Sequence, residues 1–203
     1  NLGQNINLFN RFKDIGRRSA PWYVLIANAA QQAALLGLMT YFAAYMIEIY
    51  GWDKASTAPG LALLGVGAVI GSFAGGMIAG RARRLEWLVV VSLSGGLLTG
   101  LLFSLDISAW IVVAMAFVVS VLVSVSMPVQ MTLMMHLAGQ SRGTAGGMFS
   151  TSNQLGGVVG ASAGGLMLSL GGFSAVGLLF LIATVLSASV VGLRMRRSPE
   201  FQL

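Results

Sequence analysis

Cysteine is absent from this 203-residue chain. Without it there are no disulfides, no iron–sulfur cluster and no thiolate zinc site. A single histidine, His136, rules out a histidine-rich metal cluster as well. Charge is scarce: Asp, Glu, Lys and Arg together make up 9% of the residues, against about a quarter in a soluble globular domain. A chain this poor in charge cannot cover itself with a solvated surface. No Asp, Glu, Lys or Arg lies deep in any long apolar run, and Glu48 stands at the end of the first one. No G-x-x-x-x-G-K occurs, so no nucleotide-binding loop is implied. No cofactor is expected.

What is present is apolar and rich in glycine, with 56% apolar residues and 27 glycines. The apolar residues gather into runs of about 20, the length that crosses the hydrocarbon core of a bilayer. Six runs are legible, over about 21–49, 59–80, 87–105, 109–136, 143–170 and 173–193. Between them stand Gly51 to Asp53, Arg81 to Arg84, Asp106 to Ser108, Gly139 to Arg142, and Gly171-Gly172. The expected fold is an all-α membrane protein of six transmembrane helices. A segment at 1–20 precedes the bundle at 21–193, and a tail at 194–203 follows it. Leu8, Phe9, Phe12 and Ile15 are spaced for a short amphipathic helix at the membrane surface. The chain starts at Asn1 and not at Met, and reads as a segment of something longer.

Orientation follows from the basic residues. Arg11, Lys13, Arg17 and Arg18 precede the first span. Arg81, Arg83 and Arg84 follow the second, Arg142 follows the fourth, and Arg194, Arg196 and Arg197 follow the sixth. Of the twelve, Lys54 alone falls on the other side. Both termini are therefore expected in the cytoplasm, with the bacterial inner membrane as the setting. The net charge of +6 is then explained by topology and anionic lipid, and no nucleic acid is needed. Trp22 and Trp87 fall at cytoplasmic ends, Trp52 and Trp110 at outer ends, as an aromatic belt requires.

Span two contains Gly67, Gly71 and Gly75, with Gly76 and Gly80 one step on. Span five contains Gly156, Gly160 and Gly164. Both stripes let another helix approach the backbone closely. They fall on the middle helices of two successive triplets, and an odd number of helices per triplet gives the two opposite topology. That is the logic of an inverted repeat.

This architecture resembles the C-terminal six-helix half of a major facilitator superfamily transporter. The family has a loop motif, roughly G-x-x-x-D-R-x-G-R-R, after the second helix of each half. The corresponding stretch is Gly76-Met77-Ile78-Ala79-Gly80-Arg81-Ala82-Arg83-Arg84. Its basic residues match; Gly80 replaces the aspartate, and the loop is one residue shorter. Arg142-Gly143-Thr144-Ala145-Gly146-Gly147 resembles the start of the eleventh helix in drug-efflux members. The resemblance implies two inverted three-helix repeats and a cytoplasmic linker at the chain's start. It also implies that spans one and four line a central cavity while spans two and five meet the other half. The expected partner is an N-terminal six-helix half, or a second copy, seated on the glycine stripes of spans two and five.

Polar groups inside the spans are candidate substrate ligands, because an amide in hydrocarbon must be paired or wetted. Asn28, Gln31 and Gln32 share one helix face of span one, followed by Tyr41. Span four carries Ser120, Ser124, Ser126 and Gln130 around Pro128, and span five carries Ser150, Ser152, Asn153 and Gln154. The expected substrate-binding set is Asn28, Gln31, Gln32, Tyr41, Ser126, Gln130, Asn153 and Gln154. The expected function is secondary transport of a small organic solute by alternating access. The 11 methionines suit varied shapes and favour efflux of an amphipathic or drug-like compound. If a proton gradient drives an antiporter here, the titrating carboxylate belongs to the other half, since a proton relay needs an intramembrane acid.

Gly160-Ala161-Ser162-Ala163-Gly164 superficially resembles a nucleophile turn. A serine nucleophile needs a base within hydrogen-bond reach, and the one histidine lies near the cytoplasmic boundary, so no enzyme is expected. The competing readings are a non-transporting membrane scaffold and a homodimeric six-helix carrier.

Overall fold

A computed structural model describes residues 13 and 15–201. Leu8, Phe9 and Phe12 of the expected surface helix lie outside the described residues. Helices account for the secondary structure that is described: α1 Ser19–Tyr50, α2 Lys54–Ala79, α3 Arg84–Ser104, α4 Ala109–Ser124, α5 Ser126–Ala138 and α6 Arg142–Ser189. A π-helical turn, Val190–Met195, and a 3-10 turn, Pro199–Phe201, follow. Helices α4 and α5 form one apolar stretch, Ala109–Ala138. Val125 between them keeps helical angles. The interruption comes from Pro128, which has no N–H to donate to the carbonyl one turn back. The described residues thus form five helices long and apolar enough to cross a membrane.

The fifth, Arg142–Met195, has 54 residues. At 1.5 Å per residue it would extend about 80 Å, well over twice the hydrocarbon thickness of about 30 Å. It does not run straight. The backbone leaves the helical region at Gly171 (φ −152°, ψ 19°) and Gly172 (φ 67°, ψ −163°). The second of these conformations is open essentially to glycine alone. The chain folds back there, so that residues 155–163 and 179–186 line one groove beside α1. The stretches expected as spans five and six fall on the two sides of this break, as the two arms of α6.

Two apolar clusters fill the bundle. One joins Phe42, Tyr45, Met46, Leu102, Phe103, Phe173 and Phe180. The other joins Val24, Leu88, Leu133, Phe149, Val191 and Met195, at the end that carries Arg84 and Arg194. At the opposite end the Tyr50 hydroxyl donates to the Ile107 carbonyl at 2.6 Å, and Trp52 meets Trp110 edge to face. Asp53 caps α2 by accepting from the Ser56 N–H at 2.8 Å. The Ser56 hydrogen bonds hold its carboxyl below the usual range.

The glycine stripes face inward, which corrects the expectation that they meet a partner. A methyl group on Gly71 would collide with the Val121 carbonyl oxygen, and one on Gly75 with that of Val125. On Gly160 it would lie 2.7 Å from the Ala33 Cα, and on Gly156 2.9 Å from the Ala29 Cα. So α2 lies against α4 and α5, and the first arm of α6 lies against α1. Both contacts run parallel: 67, 71 and 75 climb past 117–128, while 156, 160 and 164 climb past 29, 33 and 41. Such close approach maximises dispersion contacts where lipid supplies no hydrophobic driving force.

A polar seam between the first helix and the first arm of the sixth

Helix α1 and the first arm of α6 meet through amides as well as glycines. The Asn28 side-chain nitrogen donates to the Asn153 oxygen at 2.5 Å and to the Ser152 hydroxyl at 3.1 Å. Gln32 donates to the same Asn153 oxygen at 3.3 Å. The Ser152 hydroxyl donates to the Leu25 carbonyl at 2.7 Å. Thus one carboxamide oxygen on α6 gathers two amides spaced i, i+4 on α1.

Gln31 points elsewhere. It is 3% exposed, and neither its oxygen nor its nitrogen has a protein partner. Together with Asn28 and Gln32 it lines a cavity of about 100 Å³ between α1, α2 and α4, closed by Ser72, Ser124 and Met127. The Ser124 hydroxyl is also buried without a partner. Gln130, on α5, is fully buried with both amide atoms unpartnered. An unpaired buried amide costs roughly 1–3 kcal/mol by mutational measures. Such groups persist where something polar visits them.

The expected ligand set is thus only partly assembled. Asn28, Gln32 and Asn153 are in direct contact, and Gln31 shares their cavity. The Tyr41 hydroxyl is committed to the Ala161 carbonyl, and the Ser126 hydroxyl donates back to Val123 at 2.9 Å. Gln154 is exposed on the outer side of α6, beside Val158. Ser72 is the residue that sequence reasoning overlooked. It follows Gly71 in the glycine stripe, and a lone serine beside such a stripe was the available signal. A second polar seam also went unread: Ser92 and Ser187 are buried with unpartnered hydroxyls, and Thr184 packs against Gly96.

Among the described residues the helix interiors carry no ionised side chain. Glu48 is exposed near the end of α1, and Lys54, Arg84, Glu86 and Arg142 stand in first turns. Arg84 is buried and donates to the Ala79 carbonyl at the end of α2. The polar content of the interior is therefore neutral: amides, hydroxyls and freed carbonyls.

A bundle of long apolar helices with neutral polar seams at its centre is an integral membrane protein. The chain belongs to the major facilitator superfamily, whose sequence model matches residues 3–161. A curated relative in Escherichia coli (strain K12), described as "Putative transporter AraJ", is 31% identical over 166 residues. The match takes in 76% of this chain but 39% of that relative, so the chain spans well under half of the relative's length.

Proposed function

We propose that this chain is the C-terminal half of a secondary transporter that exports a small amphipathic organic solute by alternating access. The carrying observation is the set of buried, incompletely paired amides around the 100 Å³ cavity, in a chain whose family is one of transporters. That cavity is too small for a drug-sized solute, whose sites run about 300–1,000 Å³. In this reading Gln31 and Gln130 belong to one wall of a larger site, and the missing wall is the other half.

The contacts between helices support two inverted three-helix repeats with six crossings. Number the triplets α1–α2–α3 and α4/α5–first arm–second arm. The second helix of each triplet lies parallel to the first helix of the other, through Gly71 and through Gly160. The third helices meet each other antiparallel, Gly96 on Thr184 and Gly100 beside Leu181. The third helix of each also touches the first of the other, Gly95 on Val123 and Phe180 on Gly37. A single two-fold axis in the membrane plane would exchange every one of these pairs.

The partner half then sits on the outward faces of α2 and the first arm of α6, away from their glycines. Val66, Val69, Ile70, Phe73 and Met77 recur along one exposed face of α2, and Val158 is exposed beside Gln154. The basic ends lie in the cytoplasm, residues 1–20 serve as linker, and 194–203 form a tail at the inner membrane. Solute flux in proteoliposomes tests the reading. Full-length protein should transport and this segment alone should not, and Gln31→Ala should weaken solute binding. Robust flux from the segment alone would refute the half-transporter assignment.

A further inference from the structure

We propose that the seam between the start of α1 and the second arm of α6 binds an anionic phospholipid, with its headgroup at the basic end of the bundle. At the mouth lies a pocket of about 500 Å³ lined by Ser19, Tyr23, Leu193, Arg194, Arg197 and Ser198. Arg194 and Arg197 are three residues apart and share a side of the chain. The ion pair seen among the described residues, Arg196 to Glu86 at 3.2 Å, turns Arg196 toward α3 and away from this pocket. Among the described residues no carboxylate lines it. Two neighbouring guanidinium groups with hydroxyls at hand form a donor set for a phosphate diester.

Farther along the same two elements lies an apolar trough. Tyr23, Ile26, Ala30 and Ala33 follow one another at three, four and three residues along α1 and so share one face. On the second arm, Leu186 and Ala183 continue the line of Leu193 at seven and three residues. These alanines line a groove of about 320 Å³ whose floor is the Gly156 and Gly160 stretch of the first arm. Ala30 and Ala33 on one wall and Ala183 on the other hold the groove open. The groove ends where the Phe180 ring fills the space over Gly37. From Tyr23 to Ala33 the trough is about 15 Å deep, half of a hydrocarbon core of about 30 Å. Its depth is that of one leaflet, and its charged mouth lies where that leaflet's headgroups are. Trp22, held by its indole N–H to the Gly16 carbonyl at 2.9 Å, stands at the same level, as an interfacial anchor does.

The test uses purified full-length protein, stripped of lipid and incubated in mixed micelles with phosphatidylglycerol, phosphatidylethanolamine or inorganic phosphate, with retained lipid counted by native mass spectrometry. Wild-type protein should retain phosphatidylglycerol over phosphatidylethanolamine. The double variant Arg194→Gln, Arg197→Gln should lose about thirtyfold in phosphatidylglycerol affinity. Ala183→Phe, which fills the trough and spares the arginines, should lower retention with the melting temperature unchanged. Equal phosphatidylglycerol retention by wild type and the double variant would overturn the proposal. So would displacement of the lipid by equimolar inorganic phosphate, which would make the mouth a free-anion site. Unchanged retention in both Ala183→Phe and a second trough variant, Ala30→Leu, would overturn it too.

Discussion

Replacing Gly160 by alanine adds one methyl group to a helix surface with no room for it. The new Cβ would stand 2.7 Å from the Ala33 Cα, where ordinary contact begins near 3.4 Å. Backbone is on the far side, so no side-chain rotation relieves the overlap. The Ala33 carbonyl oxygen is nearer still, so helix α1 and the first arm of α6 must part by roughly 1 Å or bend, and overpacking of this kind costs about 1–3 kcal/mol. The same movement stretches the Gln32 to Asn153 hydrogen bond from 3.3 Å beyond hydrogen-bonding range, for about 1 kcal/mol more. Gly76→Ala is the control. It lies on the same kind of glycine-rich helix, has nothing within 4 Å of its would-be Cβ, and should be neutral or stabilising by about 0.5–1 kcal/mol. Thermal unfolding of full-length protein in detergent, followed by tryptophan fluorescence, reads both. Gly160→Ala should lower the midpoint by several degrees and Gly76→Ala should leave it or raise it. Equal destabilisation by the two would refute inward packing as the reason for the stripe.

Gln130→Leu removes two unpartnered amide atoms from a fully buried position. It should raise the unfolding midpoint, by about 1–3 kcal/mol of stability, while reducing solute binding in a flux or equilibrium assay; a loss of stability would show that the amide is satisfied. Arg83→Cys places the sole thiol of the chain in the loop between α2 and α3. It should resist an impermeant maleimide added to intact cells and react after lysis, and labelling from outside would invert the topology. Glu48→Gln, at the exposed end of α1, should leave pH-gradient-driven flux by full-length protein nearly unchanged, and abolition of flux would make Glu48 a coupling group.

The long apolar helices are readable in the sequence because the bilayer imposes them. Each backbone polar group must be satisfied within its own helix, so apolar runs and the Gly51, Gly139 and Gly171-Gly172 breaks mark the chain in one dimension. Gly51 shows the local logic: at φ 67° it ends α1, and its N–H reaches back to Ile47 while that of Trp52 reaches Met46. The candidate site was half readable by the same token. Asn28, Gln31 and Gln32 announce a polar face on α1 by spacing alone. That Asn153 rather than Gln154 meets this face depends on the rotation of α6, 125 residues away in the chain. Neighbouring amides on a helix differ by about 100° in direction, and the packing of Gly156 and Gly160 on Ala29 and Ala33 chooses between them.

The glycine stripes mark the limit of that reading. A small-xxx-small pattern states that some backbone comes close, and it carries no label for whose backbone that is. Both stripes point into the chain: that of α2 holds α4 and α5, and that of the first arm of α6 holds α1. Once that face is used, what α2 has left for the outside is Val66, Val69, Phe73 and Met77, a surface of large, soft side chains. Close-packed glycine contacts are rigid and suit joints that stay shut through a transport cycle. Methionine and branched aliphatic faces tolerate sliding and suit a boundary that must rock. In the proposed alternating-access cycle, the distribution of glycine and methionine on a single helix would separate the fixed interface from the moving one.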